Sequence, residues 1–173
     1  MNNIDKEFMA IALEEGKKAF AEGDYPVGAA LVVDGKLIGK INNASMSKKT
    51  WGDHAETQLL LAHSQAIREM QAENPNINVE LYSTLEPCLM CLGCAMMHRV
   101  KRIIFSLHDP RGGATSLDIA SLPSFYSEKW PMIDSGLFKE ESYDMFDQWM
   151  ANQTTKQYAI NRKLFAEMKA GWK

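Results

Sequence analysis

The order of hydrophobic and polar residues along the chain predicts alternating helices and strands. Over residues 4–21 the apolar side chains recur every three or four positions, which is the period of an amphipathic helix, and Gly23 is a suitable stop. An apolar run over 27–33 is separated from the next strand, 36–41, by Asp34-Gly35. Asp-Gly between two such runs is typical of a hairpin turn. We therefore predict a helix followed by two antiparallel strands.

The middle of the chain predicts two more helix–strand units. These are a helix from Asp53 as its N-cap through Ile67, a strand over 79–84, a helix over 87–97 that starts at Pro87, and a strand over 102–106. Asn74-Pro75-Asn76 is expected to break the first of these helices. Because a helix joins the two strands, we expect them to be parallel neighbours with a right-handed crossover.

The last third of the chain completes the predicted sheet. The remaining elements are a loop over 109–114, a short helix over 117–122, a fifth strand over 132–134, and closing helices over 140–150 and 156–168. A length of 173 residues with 46% hydrophobic content suits one domain, spanning 1–173. The predicted fold class is α/β, a three-layer α/β/α domain with a five-stranded mixed sheet. The loop over 109–114 follows a strand, where such sheets usually bind ligands.

Charge and hydropathy narrow the class of protein. No apolar run approaches the roughly 20 residues that span a bilayer, and the first residues lack the order of a signal peptide, so we expect a cytoplasmic protein. The net charge of −3 provides no overall basic excess for nucleic-acid binding. A local basic face over 98–102 would still allow nucleic-acid binding. Solvated charges beside a strand explain those residues equally well.

One histidine and two cysteines are the candidate metal ligands. All three cysteines lie between Cys88 and Cys94, which excludes a disulfide framework and indicates metal binding in a reducing compartment. His54 with Cys88 and Cys91 supplies three ligands to tetrahedral zinc and leaves the fourth position open for water, as in a catalytic site. Glu56, two residues after the histidine, is placed to move protons.

A structural zinc site is the alternative, and it needs a fourth protein ligand. Cys94 or another histidine, His63, His98 or His108, would have to supply it. Cys94 also extends the motif to Cys-x-x-Cys-x-x-Cys, but an iron–sulfur cluster usually requires four cysteines. We expect Cys94 to be a small buried side chain instead.

The segments His54-Ala55-Glu56 and Pro87-Cys88-Leu89-Met90-Cys91 match the signature of zinc-dependent nucleobase deaminases. The chain therefore resembles the cytidine/deoxycytidylate deaminase superfamily. Its surroundings, 84–88 and 109–114, are most similar to the bacterial tRNA-specific adenosine deaminase-like branch. The resemblance extends over about 26–136.

This resemblance implies hydrolytic deamination of an amino-substituted nucleobase, with one Zn²⁺ per chain. The implied roles are metal ligation by His54, Cys88 and Cys91, catalytic proton transfer by Glu56, and substrate binding by Asn43, Val27, Gly28, Ala29 and Glu86. Turn chemistry also explains Asn43, and packing explains the small side chains at 27–29. A supporting hydrogen bond also explains Glu86. Trp51 would either stack on a base or pack within the protein.

The same resemblance implies a homodimer, for which the Met-rich helix containing Met90, Met96 and Met97 is the candidate interface. Burial of this helix within one chain is the simpler alternative.

The C-terminal part of the chain departs from the pattern of the tRNA-specific adenosine deaminase-like branch. Acidic residues fill the first closing helix, and basic ones follow it, at Lys156, Arg162, Lys163, Lys169 and Lys173. The substrate is therefore left open between adenosine in tRNA and a free base or nucleoside such as guanine or cytosine. A non-catalytic, zinc-stapled binding protein is the alternative of another class.

Overall fold

A computed structural model describes residues 1–172 of the chain; Lys173, one of the late basic residues, lies outside them. The helices and strands are α1 (Asn3–Glu22), β1 (Gly28–Val33), β2 (Lys36–Asn42), α2 (Ala55–Ala62), α3 (Ser64–Glu73), β3 (Val79–Leu85), α4 (Leu89–Met97), β4 (Arg102–Leu107), a 3₁₀ turn (Ile119–Ser121), α5 (Ser124–Ser127), β5 (Met132–Ser135), α6 (Lys139–Ala151) and α7 (Lys156–Ala170).

The strands form one sheet in the order β2-β1-β3-β4-β5. β1 runs antiparallel to both β2 and β3, whereas β3, β4 and β5 are mutually parallel along the sheet. The predicted five-stranded mixed sheet is confirmed. In this arrangement α4 is the connection between the parallel strands β3 and β4.

Helix α1 covers one face of the sheet. Asn2 and Asp5 form a capping box at its start, and Gly23, with φ of 83°, ends it in the left-handed conformation that glycine tolerates best. Its buried residues Met9 and Ala12 pack on Ala30 and Val32 of β1, together with Tyr82 and Ile104 of the next strands. α6 contacts α1, β3 and β4, and α7 packs on α6.

Helices α2 and α4 lie on the opposite face and contact each other. Alternate residues of the strands point to them, for example Leu31, Leu81 and Ile103, which are fully buried with Leu60 and Leu92 of the helices. Burying a leucine side chain stabilises the fold by about 2 kcal/mol. The two covered faces make the predicted α/β/α layers. Among residues 1–172 no helix combines the length and hydropathy needed to cross a membrane.

The helix predicted to extend to Ile67 is in fact two helices. α2 ends at Ala62, and α3 starts at Ser64 after a bend at His63. Leu59 and Leu60 of α2 and Ile67 of α3 are all buried. The bend allows both short helices to place their apolar residues against the sheet, which periodicity along one straight helix does not indicate.

Two predicted helix starts are also wrong by one or two residues. Asp53 does not cap α2, because its carboxylate accepts a hydrogen bond from the hydroxyl of Thr50, and His54 takes the N-cap position. Pro87 is not the first residue of α4, because Cys88 is the N-cap. In both cases a residue of the metal motif, and not an ordinary capping side chain, begins the helix.

Arg102 links three elements on the α1 face. Its guanidinium donates to Asp5 at 2.7 Å, to Asp134 at 2.7 Å and to Glu80 at 3.1 Å. The carboxylate of Asp5 also accepts from the hydroxyl of Tyr82. Arg102 is therefore neutralised within the fold and does not contribute to a basic face over 98–102.

We predict that Asp5→Asn lowers the free energy of unfolding by about 2 kcal/mol at pH 7, because it removes the buried carboxylate that pairs with the half-buried Arg102. The Arg102 guanidinium lowers the pKa of Asp5 to about 2, below its usual value of about 3.9. This pair therefore contributes its full stability above pH 4, and the contribution is lost as the pH falls toward 2.

Urea unfolding of the wild type and Asp5→Asn between pH 2 and pH 7 measures the difference. Glu14→Gln is the matched control, because Glu14 lies on the same helix in an exposed pair with Lys17. Equal stabilities of the wild type and Asp5→Asn at pH 7 would contradict the prediction.

Candidate active site

Two helices begin at the candidate metal ligands. His54 is the N-cap of α2 and Cys88 is the N-cap of α4, both with extended backbone, and neither side chain accepts a capping hydrogen bond. A side-chain cap is typically worth about 1 kcal/mol. Neither α2 nor α4 has this stabilisation, and the His54 and Cys88 side chains point toward each other instead. Cys91, one turn into α4, is fully buried beside them.

The three candidate ligand atoms form a nearly equilateral triangle. His54 Nδ1 lies 3.6 Å from Cys88 Sγ and 3.5 Å from Cys91 Sγ, and the two sulfurs are 3.6 Å apart. Tetrahedral zinc, with Zn–S bonds of about 2.3 Å and a Zn–N bond of about 2.0 Å, separates two sulfurs by about 3.8 Å and sulfur from nitrogen by about 3.6 Å. The donor set and its dimensions fit zinc.

The candidates for a fourth ligand lie elsewhere. Cys94 contacts His98 at 3.7 Å, His63 lies at the bend after α2, and His108 contacts Glu86. Within residues 1–172, no second group of three His, Cys, Asp or Glu side chains converges as this one does. The arrangement is that of a three-ligand site with an open position, which is typical of catalytic zinc.

Local electrostatics favour the thiolate form of Cys88 and, with it, a bound cation. The neighbouring Cys91 thiol and the His54 ring lower the pKa of Cys88, whereas the Cys88 sulfur and burial raise the pKa of Cys91. One thiolate is therefore present before metal binding, and the second loses its proton when metal binds. The N-terminal ends of α2 and α4 also stabilise negative charge at this point.

Glu56 lies in the first turn of α2 and is only 4% exposed. One of its oxygens accepts a hydrogen bond from the hydroxyl of Ser83 at 3.1 Å, and the other lies 3.6 Å from Cys91 Sγ. Burial raises the pKa of the Glu56 carboxyl above its usual range. A carboxyl group so placed can take up a proton and release it near neutral pH.

Sequence reasoning missed two polar neighbours of the site. Ser83 lies on β3 on the face that packs against α2, and Thr57 Oγ1 lies 3.3 Å from Cys91 Sγ. The available signal for Ser83 was a serine on the same face of the strand as the apolar Val79 and Leu81. For Thr57 no such signal exists, because its contact with Cys91 depends on how α2 packs against α4.

His54, Glu56 and Cys88 open onto a cavity of about 740 Å³, within the size range of small-molecule sites. The 43–51 loop and the 109–112 loop contribute to its lining. Trp51 lies at this cavity with 96% of its surface exposed, so the alternative that it packs within the protein is wrong. It is available as a stacking surface.

Of the predicted substrate contacts, Val27, Asn43 and Glu86 line the cavity. The Asn43 side-chain oxygen accepts hydrogen bonds from the amide and hydroxyl of Ser45, which leaves its Nδ2 donor for a substrate. Gly28 and Ala29 are not in the lining. A Cβ on Gly28 would overlap the backbone of α1, so close packing accounts for this glycine, and a substrate role for either residue stays a prediction.

Glu86 holds the loop that follows β4. Its carboxylate accepts hydrogen bonds from the amide of Asp109 and from both the amide and hydroxyl of Thr115, and it contacts the His108 ring at 3.1 Å. A Cβ at Gly113 would overlap this carboxylate. These bonds match the predicted supporting role, whereas direct substrate contact by Glu86 stays a prediction.

The C-terminal helices supply an aromatic wall that the sequence pattern did not indicate. Phe146 and Trp149 of α6 and Tyr158 and Phe165 of α7 line the cavity together with Tyr25. Tyr25 and Trp149 have ring centroids 4.5 Å apart. The spacing of Tyr158 and Phe165 indicated only a helix with an apolar side, not the element against which it packs.

Residues 2–107 match the family of the cytidine and deoxycytidylate deaminase zinc-binding region. A tRNA-specific adenosine deaminase of Bacillus subtilis (strain 168) is 29% identical over 92% of this chain and 97% of its own length. A solved structure from a study of A-to-I editing by tRNA:A34 deaminases is 30% identical, with a TM-score of 0.62 over 80% of this chain and 98% of that one. A guanine deaminase from Nitrosomonas europaea, 20% identical, shares the fold with a TM-score of 0.60 over 93% of this chain and 84% of that one.

We predict that Cys88→Ser and Cys91→Ser each lower the zinc content from about one ion per chain to below about one tenth, because two ligands do not hold zinc tightly. Cys94→Ser is the matched control, since Cys94 lies on the same helix and contacts His98. Elemental analysis after dialysis measures the zinc. Equal loss in all three variants would contradict the ligand assignment.

Proposed function

Because the chain belongs to the cytidine and deoxycytidylate deaminase zinc-binding family, we propose that it is a zinc-dependent hydrolase that removes the exocyclic amine from a nucleobase. The observation that carries this proposal is the buried carboxylate of Glu56 beside a three-ligand site that opens onto a cavity. His54, Cys88 and Cys91 would hold the zinc, which supplies an activated water nucleophile near neutral pH.

The side chains around this position account for the proton transfers. Glu56 accepts a proton from the attacking water while the water oxygen adds to the amine-bearing carbon. Glu56 then delivers that proton to the adjacent ring nitrogen. It then carries the second proton of the water to the amine, which leaves as ammonia. Ser83 holds the carboxylate in place. The Nδ2 group of Asn43 donates to an acceptor on the base.

Two forms of the substrate fit this chemistry. The relatives named as tRNA-specific adenosine deaminases support conversion of adenosine to inosine within tRNA. A free base or nucleoside is the second form, and the position of α7 in the wall of the cavity favours it.

A non-catalytic zinc-stapled protein is the weaker candidate. A structural zinc site takes four protein ligands, and only three side chains converge within residues 1–172. Such a protein also has no need for Glu56, whose burial carries a desolvation cost. Thiol ligands that must stay reduced support a cytoplasmic location.

We also propose a homodimer, formed through the exposed apolar side chains of α2 and α4. Leu61, Leu89, Met90 and Met97 are 41–65% exposed on these two contacting helices. Met96, which belonged to the predicted interface, is buried in the core and is not part of this surface. Adjacent exposed apolar side chains of this kind mark interaction sites.

We predict that Glu56→Gln keeps zinc bound but lowers kcat at least about 10²-fold, because an amide cannot shuttle protons. Ammonia and inosine formation from adenosine and from an anticodon stem-loop RNA measures the activity. Glu69→Gln, an exposed change on α3, is the control. Retained turnover in Glu56→Gln would contradict the proposed role.

We predict that the wild type sediments at twice the chain mass of 19.5 kDa and that Met97→Lys shifts it toward the monomer. Placing a charge in an apolar interface opposes association. Ile160→Lys, at a similarly exposed position on α7, should leave the mass unchanged. A monomeric wild type, or a Met97→Lys variant that remains dimeric, would count against this surface.

A further inference from the structure

Helix α7 forms part of the cavity that contains the zinc ligands. Tyr158, Asn161 and Phe165 lie on one side of this helix at a spacing of three and four residues, and all three line the same cavity as His54 and Glu56. Side chains at this spacing share one helix face. The C-terminal helix thus borders the reaction site itself.

Specific contacts hold α7 in this position. The hydroxyl groups of Tyr158 and Tyr25 are 2.8 Å apart, and the Tyr158 ring meets Trp149 edge-on at 5.0 Å. Further along the helix, the rings of Phe165 and Phe146 stack at 6.0 Å. Such aromatic pairs stabilise the packing beyond the effect of the area that they bury.

A polar contact ties the same helix to the 109–112 loop. The side-chain oxygen of Asn161 accepts a hydrogen bond from the guanidinium of Arg111. Arg111 and Asn161 both line the cavity. Within residues 1–172, the Lys and Arg side chains that line it are Arg111 and Lys49. One donor of the Arg111 guanidinium is therefore engaged by α7.

The basic residues of α7 that face α6 are neutralised within the protein. Arg162 donates two hydrogen bonds to Asp147, at 2.6 and 3.0 Å, and Lys169 donates to Asp144 at 3.2 Å. RNA binding depends on several cations that replace the counterions of the phosphates. Arg162 and Lys169 are paired with carboxylates of α6, which reduces the positive charge that α7 presents to a phosphate.

We infer that α7 covers the active-site cavity, and that Tyr158 and Asn161 make the enzyme specific for a free nucleoside or base over the same base within RNA. This inference rests on the proposed deamination. A free nucleoside brings no polynucleotide backbone, whereas a base within RNA continues into flanking nucleotides on both sides. The bulk of Tyr158 and the Asn161–Arg111 contact stand in the space that those nucleotides need.

The test compares adenosine with an anticodon stem-loop RNA that carries one reactive adenosine. The proteins are the full-length wild type, the double variant Tyr158→Ala/Asn161→Ala, and Ile160→Ala as control, since Ile160 is 56% exposed on the same helix. Inosine formation yields kcat/KM for each substrate. Binding of both ligands to the inactive Glu56→Gln background supplies a readout that does not depend on turnover.

We expect the wild type to have the higher kcat/KM for adenosine. In the double variant, kcat/KM for RNA divided by kcat/KM for adenosine should rise at least about tenfold, and the corresponding ratio of affinities should rise equally. Ile160→Ala should leave both ratios unchanged. General loss of structure would lower both activities together and leave the ratio unaltered.

A wild type that prefers RNA, or a ratio that the double variant does not change, overturns the inference while the proposed deamination stands. Absence of ammonia release from the RNA, adenosine, guanine and cytosine, with zinc bound, overturns the proposed function and the inference with it.

Discussion

The structure depends on the convergence of two helix N-termini at one set of metal ligands. His54 and Cys88 each begin a helix, and Cys91 completes the triangle one turn later. The position that a capping side chain normally takes is held in each helix by a candidate ligand. Because α2 and α4 contact each other on the same face of the sheet, their packing sets the ligand separations, and bound zinc would in turn hold the two helix ends together.

The side chains proposed to take part in the reaction, and those that position them, surround the candidate metal ligands. Glu56 lies in the first turn of α2, where burial raises its pKa and the Ser83 hydroxyl of β3 donates to one of its oxygens. Glu86, at the end of the same strand, organises the loop that forms another wall. The chemistry thus occupies the edge at which β3 and β4 end, whereas α7 determines which molecules reach it.

Much of this arrangement was predictable because its signals are local. The spacing of His54 and Glu56, and of Cys88 and Cys91, predicted the ligand set and the proton carrier, and the apolar periods predicted every strand of the sheet. Hairpin and crossover rules then predicted the antiparallel β1–β2 pair and the parallel β3–β4 pair. The helix starts were wrong because His54 took the N-cap position expected for Asp53, and Cys88 caps the helix expected to start at Pro87.

The parts that the sequence did not reveal depend on contacts between distant residues. Tyr25 and Tyr158 are 133 positions apart, and no local period indicates that their hydroxyl groups meet. The bend at His63 likewise follows from packing on the sheet. The aromatic wall from α6 and α7, which bears most on substrate choice, was therefore missed even though the chemistry was recognised.

Zinc K-edge X-ray absorption of the zinc-loaded protein measures whether zinc has three protein ligands and one exchangeable position. We expect two sulfur ligands at about 2.3 Å, one imidazole nitrogen at about 2.0 Å, and one further light atom from an exchangeable ligand, whose signal changes when a competitive inhibitor binds. Three sulfurs, or two imidazoles with two sulfurs and no exchangeable position, would contradict this expectation, because such a closed site would be structural and not catalytic.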